Sequence, residues 1–170
     1  AAYGLEVNKG WVAKLQQKLN QEKKSNYKVI NASVSGETTT GGVSRLPKVL
    51  QLHQPKILIL ELGGNDGLRG QSPVLMHKNL QAMIQQAKKN KAQVLLLGMK
   101  IPPNYGKAYT QAFEKVFADI AKQEKVVFVP FFLEGIGGND RLMQSDGIHP
   151  NQAAQDTLLA NVWPALKGLL

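Results

Sequence analysis

The sequence predicts an α/β fold with a mostly parallel sheet, and three observations carry the prediction. Short apolar runs rich in β-branched residues alternate with longer stretches whose apolar side chains recur at helical spacing. Three of the four apolar runs lead into polar, glycine-rich turns at residues 31–42, 63–70 and 101–106. No internal repeat or low-complexity segment interrupts the alternation. Strands alternating with helices form βαβ units, whose crossovers are right-handed. The 170 residues make one domain the simplest count, at roughly 100–200 residues per domain.

Residues 1–10 read as a loop with Gly4, Asn8 and Gly10, and residues 11–21 as a helix carrying Trp11, Val12, Leu15 and Leu19 on one face. Residues 28–34 form a short predicted strand. The glycine-rich turn after it leads into a helix ending near Leu52, with a bend expected at Pro47. Residues 57–62 are a nearly unbroken apolar run, the pattern of a parallel strand covered on both faces, which places it in the middle of the sheet. Residues 63–67 carry too many glycines and short polar side chains for a helix interior and read as a turn. Ser72 and Pro73 then start a helix as N-cap and first residue, with Met76, Leu80, Met83, Ile84 and Ala87 on its apolar face. Residues 92–99 are the next strand. Tyr109, Phe113, Val116, Phe117 and Ile120 mark another helix, and residues 125–129 a fourth strand closed by Pro130. The long connection at 130–150 precedes a final helix bearing Leu158, Leu159, Val162, Trp163 and Leu166. Loops of that length are uncommon in compact domains unless they carry function.

Composition narrows the chemistry. With no cysteine there is neither a disulfide nor a thiolate nucleophile. No apolar run approaches the ~18 residues of a membrane-spanning helix. The formal charge of +9 raises polyanions as partners, but the lysines are scattered over helix faces with little aromatic interleaving and read as solvated.

The candidate chemistry lies in the turns. Asp146 and His149, spaced D-x-x-H before Pro150, let a carboxylate accept from the imidazole Nδ1–H and leave Nε2 as a base. The same spacing also fits a plain Asx turn beside an exposed histidine. His53 and His77 fall on helices without an adjacent acid. Asn65 ends the 57–62 strand and Gly36 the 28–34 strand, where a side-chain amide and a backbone N–H can converge on a tetrahedral oxyanion. Taken alone, Asn65 and Asp66 fit equally well as capping side chains of a turn.

With these segments together, the chain resembles the SGNH hydrolases, or GDSL-type esterases, and within them the bacterial periplasmic thioesterase/lysophospholipase/arylesterase group, over essentially its whole length. N-A-S-V-S-G-E-T (31–38) is similar to the family's second block, E-L-G-G-N-D-G-L-R-G (61–70) to its third, and D-G-I-H-P-N (146–151) to its fifth. The resemblance implies a three-layer α/β/α sandwich with a flavodoxin-like parallel sheet. It implies Asp146 and His149 as acid and base of a Ser-His-Asp triad, with Gly36 and Asn65 as oxyanion donors. Gly64, Leu68, Arg69, Pro102, Tyr105 and Ile148 become substrate-binding residues, the 67–70 loop matching one that closes over acyl chains in relatives. The implied substrate is a small acyl ester or thioester. Neither a metal nor an organic cofactor is implied, nor a nucleic-acid partner or stable membrane insertion. A monomer, periplasmic or secreted, is expected.

The family's first block, a strand ending in G-D-S-L with the nucleophilic serine, has no counterpart in residues 1–170, and Ser33, Ser35 and Ser145 fit no nucleophile elbow. The expectation is therefore a single SGNH hydrolase domain truncated at its N-terminus, whose further strand lies between those ending near Val34 and Leu62. Those two would then stand about twice the ~4.8 Å strand spacing apart. Two other classes stay open. One is a metallophosphoesterase using Asn65, Asp66, Asp146 and His149 as ligands. The other is a non-catalytic binding module, degenerate hydrolase or polyanion binder.

Overall fold

The computed structural model describes residues 1–24 and 26–170. Their elements run in the order α1 (Trp11–Gln21), α2 (Thr39–His53), β1 (Ile57–Leu60), α3 (Gly64–Leu68), α4 (Pro73–Lys89), β2 (Gln93–Leu97), α5 (Lys107–Glu124), β3 (Val127–Val129) and α6 (Gln155–Lys167). Short 3₁₀ turns cover Val7–Lys9, Pro103–Tyr105 and Gln152–Ala154. Two compact units emerge, one of residues 1–35 and 133–164, the other of residues 36–132 and 165–170.

The second unit contains the sheet, in the order β1-β2-β3 with both pairings parallel. Ile57 is level with Gln93 and Leu60 with Leu96, and Leu95 with Val127. Its core joins Leu46 and Leu50 of α2, the apolar stripe of α4 from Met76 to Ala87, Leu96 of β2, and Phe113, Phe117 and Ile120 of α5. The expected α/β fold, a parallel sheet flanked by helices, is what forms. The caps are as read: Ser72 Oγ accepts from Leu75 N at the start of α4, and Pro73 takes the first helical position. Helix α2 runs through Pro47, after starting at Thr39 with Thr38 as N-cap.

In the first unit, bonds spaced along both helices join α1 to α6. Trp11 N–H donates to Gln155 Oε1 at 3.0 Å, Lys14 pairs with Asp156 at 2.9 Å, and Lys18 Nζ lies 4.6 Å from the centre of the Trp163 ring. Leu15 and Leu19 on α1, and Leu158 and Val162 on α6, are buried.

Three expectations fail. Residues 28–34 form no strand, and side chains take two of their backbone donors: Val29 N–H goes to Gln16 Oε1 of α1 and Ser33 N–H to the nearby Asn31 Oδ1. Ile30 and Val34 are left exposed. Among the described residues β1 is not mid-sheet, since β2 is its one strand neighbour, and Ile57, Leu58 and Ile59 are only half-buried. β2 occupies the centre, with Val94 through Leu97 buried. Lastly, residues 64–68 are a helix rather than a turn. Tertiary contacts override their poor propensity: Gly63 turns the chain at φ +115°, and Gly67 sits so close to α5 and to the segment after β2 that a Cβ there would lie 2.6 Å from Phe113 Cε2 and 2.7 Å from Ile101 Cγ2.

That approach sets the expected outcome for Gly67→Ala. Alanine is favoured over glycine in a helix by about 1 kcal/mol, but overpacking costs about 1–3 kcal/mol. Urea unfolding should show a net loss of stability, and a gain would contradict the packing described.

Candidate active site

In the first unit, one carboxylate shapes the loop and also orients a histidine. Asp146 Oδ1 accepts from the N–H of Ile148 at 2.9 Å and of His149 at 3.0 Å, the Asx-turn arrangement. Asp146 Oδ2 lies 2.6 Å from His149 Nδ1. Both readings of the D-x-x-H spacing are therefore realised in the same side chain. The hydrogen bond from the His149 ring, followed by those from the two backbone N–H groups, holds the Asp146 carboxyl down at about 2. The carboxylate is thus ionised at neutral pH. Nδ1 must then carry the hydrogen of that bond, leaving the Nε2 lone pair as the base of neutral His149. Both side chains are a little over a third exposed, so the base is accessible to a ligand.

Neighbours fix this loop further. The Tyr3 ring stacks on His149 with centroids 4.2 Å apart. Gln144 Nε2 donates to Tyr3 O at 2.7 Å and to Pro150 O at 3.0 Å, while Gln144 N–H donates to His149 O at 2.7 Å. Asn151 Nδ2 reaches Arg141 O at 2.8 Å. The other two histidines have no such setting: His77 meets Gln123 Oε1, and His53 sits exposed at the end of α2.

The second unit holds the candidate donor turns. Gly36 has φ +77° with open space where a Cβ would stand, so backbone conformation rather than crowding calls for glycine there. Asn65, in α3, donates from Nδ2 to Glu37 O at 3.0 Å. An amide nitrogen carries two hydrogens, and this bond commits one of them. Arg69 Nη2 donates to Gly36 O at 3.3 Å. Glu37 is in turn paired with Arg45 Nε at 2.9 Å. The loop after α3 is tied to the start of α5, as Tyr105 donates its hydroxyl to Leu68 O at 2.8 Å and Tyr109 to Gln71 O at 2.7 Å. Burial, and after it the negative charge of Asp66, pushes the Tyr109 hydroxyl above the ordinary tyrosine range, which keeps it a donor.

Asp146, His149 and Ile148 thus come together in the first unit. In the second, Gly36 and Arg69 are bonded, Asn65 reaches the neighbouring Glu37, and Gly64 and Leu68 lie on the same short helix. Tyr105 is joined to Leu68, and Pro102 directly precedes the 3₁₀ turn that carries Tyr105. Sequence reasoning passed over Tyr3 and Gln144, whose roles depend on contacts 146 and 141 residues apart in the chain. It weighed Asp66 only as a capping side chain or a metal ligand. The structure buries Asp66 and gives both its oxygens to Thr39.

An imidazole held in one tautomer by a carboxylate is the base-and-acid pair that an acyl hydrolase of the serine type employs. The chain belongs to the GDSL-like lipase/acylhydrolase family, whose profile matches residues 1–156. It is 54% identical over 170 residues to Esterase TesA of Pseudomonas aeruginosa, covering all of this chain and 84% of that protein. Over 155 residues it is 41% identical to Thioesterase 1/protease 1/lysophospholipase L1 of Escherichia coli K12, covering 91% of this chain and 73% of that one. Among solved structures it is similar to TesA, with a TM-score of 0.97 at 54% identity over all of this chain and 94% of that chain. The enzyme class expected from the sequence, an ester hydrolase, is the class of the family and of these relatives.

The low Asp146 value has a consequence for stability. A carboxyl depressed from the ordinary ~3.9 contributes stability that is fully present above about pH 4 and is lost as pH falls through about 2. In urea unfolding, the stability gap between the wild type and Asp146→Asn should narrow over that acid range. A gap constant with pH would contradict the assigned bond.

Proposed function

We propose that the protein cleaves acyl esters and thioesters through a Ser-His-Asp triad and an oxyanion hole, with His149 as base and Asp146 as its orienting acid. The observation that carries this reading is the 2.6 Å contact of His149 Nδ1 with Asp146 Oδ2, which presents Nε2 as base. The nucleophile in this reading is a serine of the family's first block, outside residues 1–170. β1 supports it, since an apolar strand with one strand neighbour among the described residues and half-exposed Ile57, Leu58 and Ile59 suits a further strand at its other edge.

In the reaction, His149 Nε2 takes the hydroxyl proton as the serine oxygen attacks the acyl carbonyl. The tetrahedral oxyanion receives hydrogen bonds from the Gly36 N–H, the second Nδ2 hydrogen of Asn65 and the serine's own N–H. Collapse expels the leaving alcohol or thiol, to which His149 returns the proton. Water, deprotonated by the same nitrogen, then attacks the acyl-serine; the serine ester bond breaks, the acid leaves and His149 returns the proton to the serine oxygen. Leu68, Arg69, Pro102, Tyr105, Gly64 and Ile148 line the acyl and leaving-group paths in this reading. Relatives named esterase, thioesterase/lysophospholipase and arylesterase support both leaving groups. By the same resemblance the enzyme acts as a monomer in the periplasm or outside the cell.

Four variants of the full-length protein test the roles. His149→Ala should abolish hydrolysis of a p-nitrophenyl acyl ester, while His53→Ala and His77→Ala stay within about twofold of wild type, because neither has a carboxylate partner among the described residues. Equal losses at all three would refute the assignment. Asn65→Ala should lower turnover by roughly 10² to 10³, the usual cost of one oxyanion donor. Wild-type turnover would make Asn65 a turn residue only.

A further inference from the structure

We propose that Asp66 is a positioning residue for catalysis, acting through Thr39 to hold the Gly36 turn and the Asn65 amide at a fixed spacing. The inference rests on the reading of Gly36 and Asn65 as oxyanion donors. Asp66 is 1% exposed and Thr39 fully buried. The carboxylate accepts from Thr39 N at 2.8 Å on Oδ1 and from the Thr39 hydroxyl at 2.6 Å on Oδ2. Thr39 is the first residue of α2, so its N–H has no partner within the helix, and the helix end favours an anion there. From α4, Asn79 Nδ2 donates to the hydroxyls of Thr39 and Thr40, each at 3.1 Å. The Thr39 hydroxyl therefore donates one way and accepts the other, which gives the chain of bonds a single direction.

A buried carboxylate is an expensive way to fill space, since removing it from water is unfavourable until its bonds offset the loss. What it adds over an apolar side chain is direction and stiffness. The short helix α3 and its C-cap Arg69 grip residues 36–39 three times: Arg69 on Gly36 O, Asn65 on Glu37 O, and Asp66 on Thr39. The first two grips are partly open to water. The third is buried and charge-assisted, hence the strongest. Asp66 follows Asn65 directly, and Gly36 lies three residues before Thr39. A shift at this bond would therefore change the distance between the two donors, and a displacement of about 1 Å can cost roughly 10²-fold in rate.

The test uses the full-length enzyme and an activated acyl ester, with turnover expressed per burst-titrated active site so that misfolded protein does not count. Asp66→Asn leaves one acceptor oxygen for two donors, so an amide nitrogen must face either the Thr39 N–H or its hydroxyl, and kcat should fall about 10- to 10²-fold with KM within about twofold. Thr39→Val, near-isosteric but without the hydroxyl, should show a similar kcat loss. Thr39→Ser, which keeps the hydroxyl, should recover most of it. In an Asn65→Ala background, Asp66→Asn should cost less than about threefold more, because the group it positions is already gone. Full additivity in that double variant, or wild-type kcat in both Asp66→Asn and Thr39→Val, would overturn the proposal. If Asn65→Ala itself turns over like wild type, the oxyanion reading fails first and this proposal fails with it.

Discussion

A parallel ladder imposes one direction on everything attached to it. With β1, β2 and β3 paired in parallel, the segments after Leu60, Leu97 and Val129 all leave from the same edge of the sheet. Two of them carry Asn65, Asp66 and Arg69, and Pro102 and Tyr105. Because the crossovers return through α4 and α5, polar turns collect at one edge and apolar helix faces cover the strands. The cross-ties from Tyr105 to Leu68 and from Tyr109 to Gln71 join two successive turns of that edge, and depend on it.

Two aspartates show how the same side chain is put to different use by its surroundings. Asp146 is exposed, and divides its oxygens between backbone N–H groups and the His149 ring. It shapes its own turn and holds an imidazole in one tautomer. Asp66 is buried, and gives both oxygens to one threonine at a helix start. In each, one oxygen serves the backbone and the other a side chain, so the carboxylate fixes orientation as well as position. Water competes for the first but not for the second, and so the buried bond is the stiffer of the two.

Hydrophobic patterning made the fold class legible, because short unbroken apolar runs and helical stripes report directly on which faces are buried. The α4 stripe from Met76 to Ala87 and the Ser72-Pro73 start needed no long-range information. Asp146 with His149 was likewise legible, since three residues of local chain hold the whole contact. What could not be read depended on distant partners. Residues 28–34 have strand composition, but Gln16, on α1, takes a backbone donor that a ladder would need. Gly64–Leu68 is helical because Phe113 and Ile101 accept Gly67 at close range, although glycine disfavours a helix. Asp66 looked like one polar turn residue among several, and only Thr39, 27 positions earlier, sets it apart.

The most direct test of serine-type acyl transfer is the intact mass of the full-length protein before and after a fluorophosphonate, followed alongside esterase activity. The account predicts a single phosphonyl adduct on a serine outside residues 1–170, formed in step with complete loss of activity and absent in His149→Ala. Unchanged activity in fully labelled protein, or an adduct on Ser33, Ser35 or Ser145, would contradict it.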